Sequence, residues 1–208
     1  FGKKKSWDQP LILQDEIGIL GIIKKKLISG DQYLLQAKIE PGNINNIQLA
    51  PTVQATKSNY LRAHGGKKTK FLNFFRKENK NCKIISKVRL SEQGTRYFEK
   101  LNNNILKKIK NVKLKLHSNF IWVTKENLDY LIKRKNLLNM DTISVFSCSI
   151  SKNLIDFPKN NFSKISNKMG SFKKKYYLKK KQSSFKDLNS WKINDRKIFD
   201  IKKSFFSV

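Results

Sequence analysis

Residues 36–66 gather the side chains best suited to hold a polar ligand. They include Gln48, Gln54, Thr56, Lys57, Ser58, Asn59, Tyr60, Arg62 and His64. Few of these pack well among apolar neighbours, and most can donate a hydrogen bond. Pro41-Gly42, Pro51 and Gly65-Gly66 punctuate the stretch as turns between short extended pieces. The pattern fits either a polar loop or a donor-lined pocket for an oxygen-rich, negatively charged ligand. In an extended segment beyond Pro51, Thr56, Ser58 and Tyr60 face one way, and Lys57 and Asn59 the other. His64, with an ordinary pKa of ~6.5, suits proton transfer; it also reads as a loop histidine beside the two glycines. Glu92, followed by Gln93, reads as a base, as a carboxylate that holds a ligand hydroxyl, or as a first-turn helix residue. Trp191 offers a face for stacking or a place in a core. His117 reads as a surface residue, and Trp7 and Trp122 as packing.

The elements that must position these groups follow from the apolar pattern. Pro10 pushes Gln9 into an extended conformation. Residues 17–23, IGILGII, form an apolar run in which Gly18 and Gly21 suggest a bend or a close backbone approach. In residues 33–40, Tyr33, Leu35, Ala37 and Ile39 alternate with Gln36, Lys38 and Glu40, which predicts a strand with one wet face. A further short strand is expected at residues 53–55. Phe71, Leu72, Phe74 and Phe75 predict a short amphipathic helix over 70–77. Residues 83–90 read as extended. Ser91 as N-cap, with Glu92 and Gln93 in the first turn, predicts a helix to about Lys108, its apolar face running through Tyr97, Phe98, Leu101, Ile105 and Ile109. Val112, Leu114 and Leu116 predict a strand. Thr124 caps a predicted helix to about Lys135, with Leu128, Leu131 and Ile132 inward and Asn136 as C-terminal cap. Asn139, Met140, Asp141 and Thr142 connect into residues 143–150. Strands and helices mix without strict alternation, so the expected class is α+β. From Ser151 to about residue 186, lysine clusters, Ser and Asn predict a basic linker. Structure resumes at 187–208.

Composition narrows the function. The 208 residues carry a net charge of +30, from 39 Lys against 6 Arg. Lys neutralises phosphates, but Arg reads bases bidentately. The lysine excess, with 21 Asn, resembles the bias of an AT-rich genome more than a dedicated nucleic-acid interface. No run approaches the ~20 apolar residues of a membrane helix. Cys82 and Cys148 are too few and too far apart for a disulfide framework or metal site and read as free thiols in a reducing cytoplasm.

Four segments carry a resemblance: WDQPLILQDEIGILG (7–21), QAKIEPGNINNIQLAPTVQATKSNY (36–60), SEQGTRYFEKLNNN (91–104) and NLLNMDTISVFSC (136–148). In this order they resemble the sugar-nucleotide 2,3-dehydratase family, which acts on NDP-4-keto-6-deoxyhexoses. The resemblance covers residues 1–150 well and 187–208 weakly. It implies a Nudix-like mixed sheet with flanking helices, one repeat of a tandem pair, working without metal or organic cofactor. It also implies a cytoplasmic enzyme that is a homodimer when full length, with a nucleotide sugar, commonly dTDP-linked, as its partner. Residues 1–150 would then be the first repeat lacking its opening strands, 151–186 the linker and 187–208 the start of the second repeat. Phe1 in place of a methionine fits a middle piece of a longer protein.

Such a reaction needs a base for the C3 proton, donors toward O4 and a proton for the departing C2 hydroxyl. The resemblance makes His64, Glu92 and Tyr60 the catalytic candidates. Thr56, Lys57, Ser58, Asn59, Tyr60, Arg62, Gln93 and Trp191 become the substrate-binding ones, with Lys57 and Arg62 facing the diphosphate. The Nudix glutamate box is absent, which fits metal-free elimination. The alternatives are a sugar-nucleotide binder without catalysis and a basic nucleic-acid-binding domain.

Overall fold

The computed structural model describes residues 11–62, 65, 68–76, 81–110, 114–154, 191–194 and 197–200. After the two-residue β1 (Ile12–Leu13), strands β2 (Gly18–Leu27), β3 (Gly30–Ile39), β4 (Ile47–Pro51) and β5 (Val53–Ala55) follow in close succession. Two short helices come next, α1 (Lys57–Leu61) and α2 (Asn73–Arg76). Then come β6 (Cys82–Ser91), β7 (Tyr97–Phe98), β8 (Leu101–Ile109), β9 (Phe120–Thr124), α3 (Lys125–Lys133) and α4 (Met140–Leu154). Contacts divide the chain into two units, Leu13–Asp156 and a second made of Phe1–Ile12 with Phe157–Val208. In the second, β10 (Trp191–Asn194) and β11 (Lys197–Asp200) pair antiparallel.

The first unit is built on a seven-stranded mixed sheet in the order β4-β3-β2-β8-β6, with β5 also on β2 and β9 also on β3. β2 and β8 run parallel, and the other pairs are antiparallel. The class is α+β, as the sequence predicts. The sheet is forked. β2 and β3 pair from Leu27↔Gly30 to Ile23↔Leu34 and then part. Into the opening run β4, on β3, and β5, on β2. Thr52 lies at the vertex, 1% exposed. Its Oγ accepts the Ile23 N–H at 3.0 Å and donates to the Leu34 carbonyl. One hydroxyl thus satisfies two backbone groups that the parting strands would leave unpaired.

Each face of the sheet buries its own apolar layer. One holds Ile19, Ile23, Leu34, Val53 and Ile105 under Leu72, Phe74 and Phe75. The buried Lys107 ammonium donates to the Phe74 carbonyl at 2.8 Å and fastens that cover to β8. Gly21 is the predicted close approach, since a Cβ there would stand 2.4 Å from the Phe75 ring. The other layer holds Leu20, Ile22, Tyr33, Leu35 and Leu106, covered by Leu128, Val145 and Phe146 of α3 and α4. β3 is therefore buried on both faces along Tyr33, Leu34 and Leu35, more than its alternation predicts. Among the described residues no helix is long and apolar enough to cross a membrane.

Several expectations need correction. Residues 91–108 are not a helix: a turn follows Ser91, and Leu101–Ile109 is a strand between β2 and β6. Leu101, Ile105 and Ile109 recur every four residues, which suits one helix face and equally one strand face, because four is a multiple of two. Asn102, Asn103 and Asn104 lower helix propensity, and central pairing decides the outcome. No strand forms at Leu114–Leu116; the strand lies at Phe120–Thr124, while residues 111–113 fall outside the description. The helix over 70–77 is confined to α2, after a turn in which Phe71 has φ 58°. Thr124 caps α3 by accepting the Asn127 N–H at 3.3 Å, as predicted, but Ile132 is 45% exposed and Arg134, not Asn136, is the C-cap. The predicted linker lies outside the described residues, except that 151–154 extend α4.

Thr52→Val keeps the side-chain shape and removes the hydroxyl at the fork. It is expected to cost about 2–4 kcal/mol, with Thr52→Ser retaining most of the stability. Urea unfolding followed by far-UV circular dichroism reads both, and a wild-type midpoint for the valine variant would show that the hydroxyl is dispensable.

Candidate active site

Four strand ends meet at one rim of the sheet. The parallel strands β2 and β8 both begin there, with Gly18 opposite Asn102. The antiparallel β5 and β6 both end there, with Ala55 opposite Ile19 and Leu90 opposite Asn102. The register thus gathers residues 15–17, 56–62, 91–93 and 100–102, which are far apart in sequence.

Hydrogen bonds hold these ends together. The Glu16 Oε2 accepts the Ser58 N–H at 3.0 Å and the Ser58 hydroxyl at 3.1 Å. Thr56, in the N-cap position of α1, accepts the Tyr60 N–H with its carbonyl at 3.2 Å, but its side chain caps no helix N–H; its hydroxyl lies 3.0 Å from that of Ser58. The helix is therefore capped by a carboxylate from the loop that leads into β2, and Arg62 closes it in the left-handed conformation. The Ser58 amide, then the Ser58 hydroxyl and the Lys100 charge, outweigh desolvation and hold the Glu16 carboxyl below its usual range. Lys100, only 1% exposed, donates to the Glu16 carbonyl at 2.6 Å, and its own carbonyl accepts the Glu92 N–H at 2.9 Å. Beside these groups opens a cavity of about 480 Å³ lined by Asp15, Glu16, Ile17, Lys57 and Tyr60.

A second polar cluster lies on the α4 side of the same sheet. Glu40 accepts from Lys38 at 3.0 Å, Gln54 at 2.8 Å and Asn139 at 3.2 Å. These donors and the Lys38 charge overcome the cost of desolvation and lower its pKa. Asn139 also caps α4, its Oδ1 accepting the Thr142 N–H and hydroxyl, both at 2.9 Å. In the first turn of α4, Asp141 behaves oppositely. Burial, reinforced by the charges of Glu92 and Glu40 and only partly opposed by Lys38, raises it from 3.8 to about 6. Asn102 donates to Glu92 at 2.9 Å, and Ser144 donates to Asn104 at 2.7 Å. A Cβ at Gly18 would meet the Asn102 side chain at 2.3 Å, so the glycine leaves room for that amide. One carboxylate is thereby kept ionised while another retains its proton toward neutrality, an arrangement suited to general acid–base work.

The predicted site residues separate accordingly. Lys57 and Tyr60 both line the cavity, because residues 56–60 form a helical turn rather than an extended segment and the predicted alternation fails. Tyr60 is half-buried under the Arg76 guanidinium, 5.0 Å from its ring, and packs on the core. Thr56 and Ser58 are occupied with Glu16, while Asn59 and Arg62 are exposed. Glu92 joins the Asp141 cluster. Gln93 is exposed, and its carbonyl holds the following turn through the N–H groups of Arg96 and Tyr97. His64 lies outside the described residues, and Trp191 belongs to β10 in the other unit. His117 is not a plain surface residue but packs edge-on to Phe71 at 6.0 Å. The sequence reading missed Glu16, Lys100 and Asp141. All three lie inside the quoted motif segments, but their roles depend on partners 40 to 84 residues away or on burial.

A sequence model of the family described as NDP-hexose 2,3-dehydratase matches residues 2–149. A dTDP-4-dehydro-6-deoxy-alpha-D-glucopyranose 2,3-dehydratase from Amycolatopsis orientalis is 41% identical over 148 residues, which cover 71% of this chain and 31% of that protein. The enzyme of the same name from Saccharopolyspora spinosa is 38% identical over 148 residues, covering 71% and 30%. The chain thus spans about a third of the length of these relatives. Among solved structures, the C. elegans Ap4A hydrolase aligns over 64% of this chain and 97% of its own, with 14% identity and a TM-score of 0.40.

The raised Asp141 has a consequence for stability. Between 3.8 and about 6 the unfolded chain releases this proton while the folded chain keeps it, so stability falls as pH rises through that window and stays lower above it. Asp141→Asn is therefore expected to stabilise the protein by about 1–3 kcal/mol at pH 7.5 and to change little at pH 4. Urea titrations at the two pH values measure the difference.

Proposed function

The chain belongs to the NDP-hexose 2,3-dehydratase family, and on that premise we propose that it dehydrates an NDP-4-keto-6-deoxyhexose across C2 and C3 at the rim described above. The observation that carries this reading is the meeting of four motif-bearing strand ends beside a carboxylic acid held near pH 6. The names of the relatives favour a dTDP-linked 4-keto-6-deoxyglucose as substrate.

The chemistry begins at the ketone on C4, which acidifies the proton on C3. A base removes that proton, the electron pair moves into an enolate at O4, and the C2–O bond then breaks. The hydroxyl leaves as water when it receives a proton. The resulting enol tautomerises to a 3,4-diketo sugar. Asp141, protonated up to about pH 6, is suited to supply the proton to the leaving hydroxyl. Glu92, fixed by the Asn102 amide, is the candidate base, with His64 as the alternative. Tyr60 and Lys57, side by side in the cavity, are placed to donate to the sugar and the diphosphate, with Arg62, Asn59 and Gln93 on the exposed margin. Glu40, kept ionised by its donors, fixes Gln54 and Asn139 beneath the site.

The chain organisation follows the same proposal. Residues 1–150 act as one Nudix-like repeat, 151–186 as a linker and 187–208 as the opening of a second repeat to which Trp191 belongs. The end of the family match at residue 149 and the compact unit Leu13–Asp156 support the boundary near residue 150. A charged nucleotide sugar does not cross a membrane unaided, which favours a cytoplasmic enzyme, and we propose a homodimer for the full-length protein.

In the complete protein, Glu92→Gln and Asp141→Asn are each expected to lower kcat by about 10²–10⁴-fold. Tyr60→Phe and Lys57→Ala should act mainly on KM. Turnover coupled to a 3-ketoreductase, read by loss of reduced nicotinamide, reports both constants. If Glu92→Gln and Asp141→Asn retain wild-type kcat while His64→Asn abolishes turnover, the reaction lies elsewhere and the α4 side is structural.

A further inference from the structure

We infer that Glu16 is a positioning residue, fixing the substrate-contacting turn at Lys57 and Tyr60 relative to Glu92. This rests on the site proposed above.

The geometry is a continuous chain of hydrogen bonds. The Ser58 amide and hydroxyl both donate to the Glu16 Oε2, at 3.0 and 3.1 Å. The Glu16 carbonyl accepts the Lys100 ammonium at 2.6 Å, and the Lys100 carbonyl accepts the Glu92 N–H at 2.9 Å. Glu16 is thus bonded both to α1, through Ser58, and to Lys100, whose carbonyl holds the Glu92 N–H. A five-residue helix has little stability of its own, and the Thr56 side chain gives its backbone no cap. Its orientation therefore depends on an outside acceptor, which the Glu16 carboxylate supplies.

The position of that carboxylate also bears on ligand chemistry. Glu16 fills the place beside the first N–H groups of α1 and carries negative charge there. The Ser58 N–H in the first turn of the helix is thereby taken up by Glu16, which leaves the Lys57 ammonium, lining the same cavity, as the group available to an anionic diphosphate. Lys100 keeps the arrangement in register from the buried side: with 1% exposure, its ammonium has little freedom to choose another partner.

A residue that only stabilises the fold would lower the amount of active enzyme. A positioning residue changes KM in enzyme that remains folded. In the complete protein, Glu16→Gln is expected to raise KM for the 4-keto-6-deoxy sugar nucleotide about tenfold while kcat stays within about threefold. Glu16→Asp should restore part of the loss. Because Glu16 acts through Ser58, the double variant Glu16→Gln/Ser58→Ala should bind no worse than the more impaired single variant. A wild-type KM in Glu16→Gln, or full additivity in the double variant, overturns the inference. If Glu16→Gln does not fold, Ser58→Ala removes the hydroxyl half of the contact and leaves the amide half, so its KM should rise by a smaller factor of about threefold; an unchanged KM there overturns the inference. Glu92→Gln, assayed alongside, separates the two claims. Loss of its kcat with an unmoved KM in Glu16→Gln sinks only the positioning role, whereas wild-type kcat in Glu92→Gln removes that residue from the chemistry whatever Glu16 does.

Discussion

The sheet depends on one hydroxyl at its fork. Where β2 leaves β3, a backbone donor and a backbone acceptor face a gap, and burial makes unpaired groups there costly. Thr52 fills the gap with a side chain that accepts from one strand and donates to the other. The fork lets β4 continue on β3 while β5 turns onto the first half of β2. Without it, β5 would have no seat beside the start of β2, and α1 would not reach Glu16. The site is therefore a consequence of where the central strands part.

Polar groups inside the rim are held in opposed states. Glu40 receives four side-chain donors, from Lys38, Asn43, Gln54 and Asn139, and is held below its usual range, whereas burial and the charges of Glu92 and Glu40, opposed by that of Lys38, raise Asp141. The second arrangement works against folding at neutral pH. Such a carboxyl persists when its chemistry is worth its cost, the usual relation between stability and activity at a catalytic site. The well-satisfied side chains around it, from Asn139 to Ser144, keep the destabilised group in one geometry.

Much of this was legible in the sequence. The strand character of β3, the Thr124 cap, the close approach at Gly21 and the α+β class all follow from local pattern, because local pattern causes them. Three of the four motif segments also hold the strand ends that meet at the rim, and the fourth leads into α4. What the sequence hid was non-local. A four-residue spacing cannot separate β8 from a helix, and pairing with β2 and β6 made the choice. The turn at residues 56–60 reads as extended because its cap comes from Glu16, 42 residues earlier. Asp141 looks like any first-turn acid until α4 is laid across the sheet beside Glu40 and Glu92.

The single parallel pair in the sheet sets a timetable for synthesis. The parallel partner of β2, β8, lies 84 residues later, the same separation that divides Lys100 from Glu16. At about 5–20 residues per second, roughly 4–17 s pass before the ribosome delivers that partner. Until then β2 has β3 and β5 beside it, and later the Leu72–Phe75 cover, but the edge that β8 will take stays open to other strands. A nascent chain in this state is a natural client for a holding chaperone, and slower translation through residues 60–100 would prolong its exposure.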